Sequence, residues 1–174
     1  MNENTPVVRD LIVPLDNFPH MGSEQSIHDA VAQLFSHTVN GGGNLKYDEL
    51  LILNKDYQYV GRLTIKHILT CFFPTLFNSG QKNIFAGKKE KFTDLAILLE
   101  DSFQHECKRQ GALPVSQFMI PPHKCISADT HPLHAAEIMM EEDETCLPVE
   151  DNRAVIGVVR LVDVFRSLAG SCAL

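Results

Sequence analysis

Tyr59-Val60-Gly61-Arg62-Leu63-Thr64-Ile65-Lys66-His67-Ile68-Leu69 returns later in the chain as Val155-Ile156-Gly157-Val158-Val159-Arg160-Leu161-Val162-Asp163-Val164-Phe165. Gly61 and Gly157 lie 96 residues apart, and so do His67 and Asp163. An internal repeat of this kind implies two similar supersecondary units that bury apolar surface together. It also isolates a Gly-x-x-polar-x-x-polar turn at which a ligand can be held.

An apolar strand and a turn precede each glycine. They are Leu51-Ile52-Leu53-Asn54-Lys55-Asp56 in the first copy and Leu147-Pro148-Val149-Glu150-Asp151-Asn152 in the second. Asn, Asp and Lys supply turn chemistry between Val/Ile/Leu/Tyr-rich strands, so each copy predicts a hairpin. A helix comes before each hairpin. Ser26 caps a run of Ile27, Ala30, Val31, Leu34 and Phe35 at helical spacing. Thr130, with Pro132 just inside the start, precedes Leu133, Ala136, Ile138, Met139 and Met140. A second short helix follows each glycine strand, His67 to Phe73 and Asp163 to Leu168. The copies differ by about ten residues around Asn40-Gly41-Gly42-Gly43-Asn44, which the glycines mark as a loop.

The two motifs resemble the hallmark of the cystathionine-β-synthase (CBS) domain pair, or Bateman module. In that family each unit ends in Gly-h-h-Thr/Ser-x-x-Asp/Asn, with h apolar. Here the sequences are Gly61-Arg62-Leu63-Thr64-Ile65-Lys66-His67 and Gly157-Val158-Val159-Arg160-Leu161-Val162-Asp163. The entries to the units match as well, Val8-Arg9-Asp10-Leu11-Ile12-Val13-Pro14 with Val115-Ser116-Gln117-Phe118-Met119-Ile120-Pro121. The resemblance implies an α/β (α+β) fold: a tandem pair with pseudo-two-fold symmetry, small sheets covered by helices, and a bridging helical linker. Residues 6–73 are the first CBS domain, 74–112 the linker and 113–170 the second. In the linker, Thr93 is placed to cap a long helix with Phe92, Leu95, Leu98, Leu99, Phe103 and Cys107 along one face. Gly111 is placed to stop it.

The same resemblance gives the turn its chemistry. In CBS pairs that bind adenosine ligands the acid accepts both ribose hydroxyls, while the Thr/Ser hydroxyl meets phosphate. A carboxylate suits a diol because its two oxygens accept from two adjacent O–H groups. The second copy keeps the carboxylate in Asp163 and has Arg160 in place of the hydroxyl, a fork that holds phosphate. The family positions of Ile126, Ser127 and Pro148 line the base. The first copy keeps Thr64 but has His67 in place of the acid, so Thr64, His67 and Ile52 form the weaker second site. The competing reading of Asp163 is a helix N-cap without a ligand. For Thr64 and His67 that cap-and-surface role is the favoured one.

Other constellations carry less. His123, Cys125, His131 and His134 fall close in sequence without the spacing of a zinc site, so no metal is expected. Glu141-Glu142-Asp143-Glu144 reads as a solvated helix end. No P-loop, dinucleotide fingerprint, Gly-x-Ser-x-Gly or Cys/His pair argues for an enzyme.

The 174 residues, 44% hydrophobic, can build a sizeable core. A net charge of −7 argues against nucleic acid or an anionic membrane as the main partner. Apolar runs are too short to span a bilayer, and the polar Met1-Asn2-Glu3-Asn4 start predicts no secretory leader. Five scattered cysteines suit a reducing cytoplasm. Apolar helices carrying Leu69, Phe72, Phe165 and Leu168 predict a homodimer. The expected function is a small-molecule-sensing regulatory module. Its ligand in the inter-domain cleft is an adenosine nucleotide (AMP, ADP or ATP) or S-adenosylmethionine, and its protein target is unspecified. The alternative is a ligand-free dimerisation or protein-interaction module.

Overall fold

The computed structural model describes residues 6–39, 41–72 and 92–171. Both copies show the expected order of elements. In the first, β2 (His20–Gly22) leads through α1 (Ile27–Ser36) to β3 (Glu49–Leu53), β4 (Tyr59–Thr64) and α2 (Ile65–Phe72). In the second, β5 (Ile126–Ser127) leads through α4 (Pro132–Glu141) to β6 (Cys146–Asp151), β7 (Ala154–Arg160) and α5 (Leu161–Ser171). Between them lies α3 (Phe92–Gly111), and ahead of the first copy is β1 (Val13–Pro14). Gly61 and Gly157 each stand three residues before the end of their strand, so the repeat seen in the sequence is a repeat of structure.

The chain divides into two compact units that do not follow the chain halves. The described residues of Met1–Gly22, Leu51–Gly61 and Pro121–Leu174 form one, and those of Ser23–Leu50 and Arg62–Ile120 the other. The reason is where each entry segment finds its hydrogen bonds, since buried backbone groups must all be paired. In the first unit, Val8 N–H donates to Thr130 O at 2.8 Å and Arg9 N–H to Ala128 O at 2.9 Å. β1 then pairs antiparallel with β7, Val13 opposite Val158. In the second unit, Val115 N–H donates to Gln25 O at 2.8 Å and Ser116 N–H to Ser23 O at 3.1 Å. Ile120 then bridges Arg62 antiparallel. Each entry segment thus docks on the other copy's strand, in the same register.

Within the first unit the sheet order is β1-β7-β6-β5. Its core gathers Val8, Ile126, Met139, Leu147, Val149 and Val164, all buried. Gly157 is required here, because a Cβ would run into the Val13 carbonyl and keep β1 off the sheet. Asn152 and Arg153 make a two-residue hairpin between β6 and β7, both at positive φ, the pattern of a type I′ turn.

Within the second unit, α1 starts in a capping box: Ser26 Oγ accepts from Asp29 N–H, and Asp29 accepts from Ser26 N–H. Phe72 of α2 meets Phe103 of α3 edge-on, with ring centroids 6.1 Å apart. The expected Thr93 cap and the face from Phe92 to Leu99 lie outside the described side chains. Phe103 and Cys107 are half-buried, and Gly111 is the last residue of α3.

Several expectations need correction. The N-cap of α4 is His131, not Thr130: Pro132 takes the first helical position, and the His131 ring Nδ1 accepts from Leu133 N–H at 3.1 Å. Helices α2 and α5 each begin two residues earlier than expected, at Ile65 and Leu161. Asp163 therefore lies in the first turn of α5 and is not its N-cap. Of the four apolar residues assigned to a dimer face, Phe72 is buried and Leu168 packs against the core, while Leu69 and Phe165 are exposed.

Candidate ligand site

β7 ends on Arg160 and α5 begins at once, its first N–H, from Leu161, donating to Thr145 O at 2.8 Å. That tight join sets Arg160 and Asp163 one turn apart. Arg160 Nε donates to Asp163 Oδ2 at 2.6 Å, and the Arg166 guanidinium lies 3.5 Å from Oδ1. Asp163 is the one charged side chain buried among the described residues, at 8% exposure. A buried carboxylate is tolerated only when paired, and here two guanidinium groups pair it. The first turn of a helix also favours negative charge.

Beside it lies a cavity of about 440 Å³, lined by Asp10, Leu11, Asp163, Arg166, Ser167 and Gly170. Arg160 meets Asp163 through its hydrogen bond but is not among the residues that line this cavity. The three residues assigned to the base are not in this cavity. Ile126 is in the core, opposite Val149. Ser127 is exposed, its Oγ accepting from Asp129 N–H at 3.3 Å. Pro148 is buried in β6 opposite Val158, next to the register shift at Val149 and Glu150.

The first copy repeats the geometry with other groups. Thr64 Oγ1 accepts from His67 N–H at 3.3 Å and lies 2.7 Å from His67 Nδ1. Thr64 thus caps α2 as the sequence favoured. Burial, with Lys66 and Arg62 adding like charge, holds His67 below the ordinary histidine value. Ile52 is fully buried in β3 opposite Met21.

The sequence reading passed over Arg166, Ser167 and Gly170, although helical spacing from Asp163 carries the signal. Asp10 and Leu11 had no local signal, since the entry segment reaches this place through its docking on β7. The three histidines and one cysteine weighed as metal ligands are dispersed among other roles. His131 caps α4, His134 Nδ1 lies 2.9 Å from Glu137, and His123 Nδ1 lies 3.3 Å from the Tyr59 hydroxyl. Burial pushes the Cys125 thiol up to about 11. Among the described residues no group of three or more His, Cys, Asp or Glu could hold a metal ion, and no helix is long and apolar enough to cross a membrane.

The family model that matches is the CBS domain, over residues 115–170. The match spans 56 of the 174 residues, the second copy of the repeat. The fold of a CBS pair extends through the rest. The CBS-pair protein CBSX2 from Arabidopsis thaliana superposes with a TM-score of 0.65 at 17% identity, covering 97% of each chain. CBSX2 in complex with AMP gives 0.61 at 18%, over 95% of this chain and 98% of that one. The cytosolic domain of the Mg2+ channel MgtE in complex with ATP gives 0.58 at 14%, over 90% of this chain and 46% of that one. At such identities the likeness is one of fold. No curated protein matches in sequence.

Proposed function

We propose that this CBS pair, read as domains 6–73 and 113–170 joined by 74–112, is a regulatory module that senses an adenosine-containing ligand. The observation that carries the reading is Asp163: a buried carboxylate at the family's ribose position, on the wall of a cavity of about 440 Å³. Small-molecule sites commonly fall in this range of volume. Its oxygens accept the two ribose hydroxyls, and the neighbouring guanidinium groups meet phosphate. AMP bound to CBSX2 and ATP bound to MgtE support the ligand class. By family position Ile126, Ser127 and Pro148 are the assignment for the base, although none of the three lines this cavity, and Thr64, His67 and Ile52 are the weaker second site.

Calorimetric titration with AMP, ADP, ATP and S-adenosylmethionine tests this. Asp163→Ala should weaken binding about ten- to a hundredfold, the worth of hydrogen bonds to a charged acceptor. Thr64→Ala should change little. Intact affinity in Asp163→Ala places the ligand elsewhere, and no binding at millimolar concentration rejects the sensor.

A second reading is a ligand-free interaction module. Leu69 and Phe165, at equivalent positions of the two copies, are 40% and 69% exposed. Covering them in a homodimer removes apolar surface from water. Light scattering that finds a monomer at micromolar concentration defeats the dimer. The cytoplasm suits either reading.

A further inference from the structure

The carboxylate on which the proposed site rests already has cationic neighbours on both oxygens. Arg160 Nε is 2.6 Å from Oδ2, and Arg166 is 3.5 Å from Oδ1. In the first copy the position of Arg160 is held by Thr64, whose small hydroxyl interacts with residue 67 at the same spacing. The second copy carries a guanidinium at the position of that hydroxyl, and the group reaches back onto the acid. Its hydrogen bond is short, charge-assisted and made to a side chain only 10% exposed, so it is among the stronger of its kind.

We propose that Arg160 and Arg166 form an internal latch on Asp163 that an anionic ligand opens. The site is then selective for phosphorylated adenosine ligands over adenosine and over the cationic S-adenosylmethionine. The inference rests on the adenosine-sensing reading above and narrows its ligand class.

A guanidinium fork fits a phosphate as well as a carboxylate, so Arg160 or Arg166 can pass from Asp163 to a phosphate without losing an anionic partner. Asp163 is then free to accept the two ribose hydroxyls. Adenosine offers the hydroxyls but no anion. The guanidinium groups must then leave or share their carboxylate in return for neutral donors, whose hydrogen bonds are weaker. A sulfonium cation meets two like charges in addition. The cavity is arranged to suit: Arg166 and Ser167 stand on the α5 side with Asp163. The second carboxylate of its lining, Asp10, is on the entry segment and exposed, which favours phosphate near Arg166.

AMP, adenosine and S-adenosylmethionine should be titrated by calorimetry into the wild type, Arg160→Thr and Arg166→Gln, with a thermal melt of each protein. In the wild type AMP should bind on the order of tenfold or more tighter than the other two. Arg160→Thr, which restores the hydroxyl of the family motif, should bring adenosine to within about threefold of AMP, chiefly by raising adenosine affinity. Arg166→Gln should fall between, and it decides the matter if Arg160→Thr does not fold. Equal wild-type affinity for AMP and adenosine, or an unchanged ratio in the folded variants, overturns the latch and leaves the sensor standing. No binding of any ligand to any of the proteins rejects the adenosine-sensing reading, and the latch with it.

Discussion

At the tip of the second hairpin, Asn152 and Arg153 take φ of 51° and 68°. Asn tolerates that region, but for an arginine the left-handed backbone costs roughly 1–2 kcal/mol, and glycine avoids the cost. Arg153→Gly should therefore stabilise the protein by about 1 kcal/mol, read as a higher urea midpoint at unchanged slope. Gly157→Ala should do the opposite, by about 1–3 kcal/mol, because its methyl meets the Val13 backbone, which cannot step aside. His67 sets a pH dependence. Its value in the fold lies below the ordinary 6.5, so its contribution to stability is complete above that pH. The contribution fades as the pH falls through the folded value. His67→Gln should flatten the decline of Tm on acidification below pH 6.5. At this scale the hallmark residues were legible because the two motifs stand in register, which set Arg160 and Asp163 against Thr64 and His67. That Arg160 turns back onto Asp163 was not, since a side-chain direction depends on where the helix begins.

Among the elements, helix starts show how far local chemistry reaches. The Ser26 cap of α1 was legible, and the structure adds Asp29, whose carboxylate closes a capping box with it. Ser26→Ala should cost about 1 kcal/mol in denaturant unfolding. The cap of α4 was misjudged by one residue. Thr130 is the better capping type, but Pro132 is suited to the first helical position, which makes His131 the cap. The Thr130 carbonyl meanwhile accepts from Val8. An imidazole nitrogen is a poorer substitute for a carboxylate oxygen at such a place. His131→Asp should raise stability by about 0.5–1 kcal/mol, measurable in the same unfolding experiment. Helices α2 and α5 began early for a related reason. Ile65 and Leu161 donate to Asp48 and Thr145, residues just ahead of each hairpin, and no local pattern in the helix itself reveals that tie.

For the molecule as a whole, the repeat, the hairpins and the helices could be read from periodicity and turn residues. The crossed docking of the entry segments could not, because it is written in backbone hydrogen bonds between residues remote in sequence. Arg9 shows the distance involved, pairing with Asp129 and Asp151, 120 and 142 residues away. Val8 is fully buried in the core that also holds Val164, close to Asp163 in α5. Val8→Ala should cost about 2 kcal/mol in unfolding experiments. A fragment of residues 113–170 should show no cooperative melt until a peptide of residues 6–22 is added. A cooperative melt of the fragment alone would show that the entry segment is an accessory.

The crossed docking also orders events during synthesis. At about 5–20 residues per second, the 142 residues between Arg9 and Asp151 take roughly 7–30 s to emerge. Through that interval the first entry segment has no strand to join. It is a poor template for other chains meanwhile, being two residues of strand that end in Pro14. When β7 is made, its partner is already waiting. On the other side β4 emerges first and awaits Ile120, with Arg62 at the bridging position as a charged guard on that edge. The ribosome thus releases each partner pair with its more adhesive member last or its open edge charged, and a nascent chain stalled between the two copies should resist clumping better than its unfinished sheets suggest.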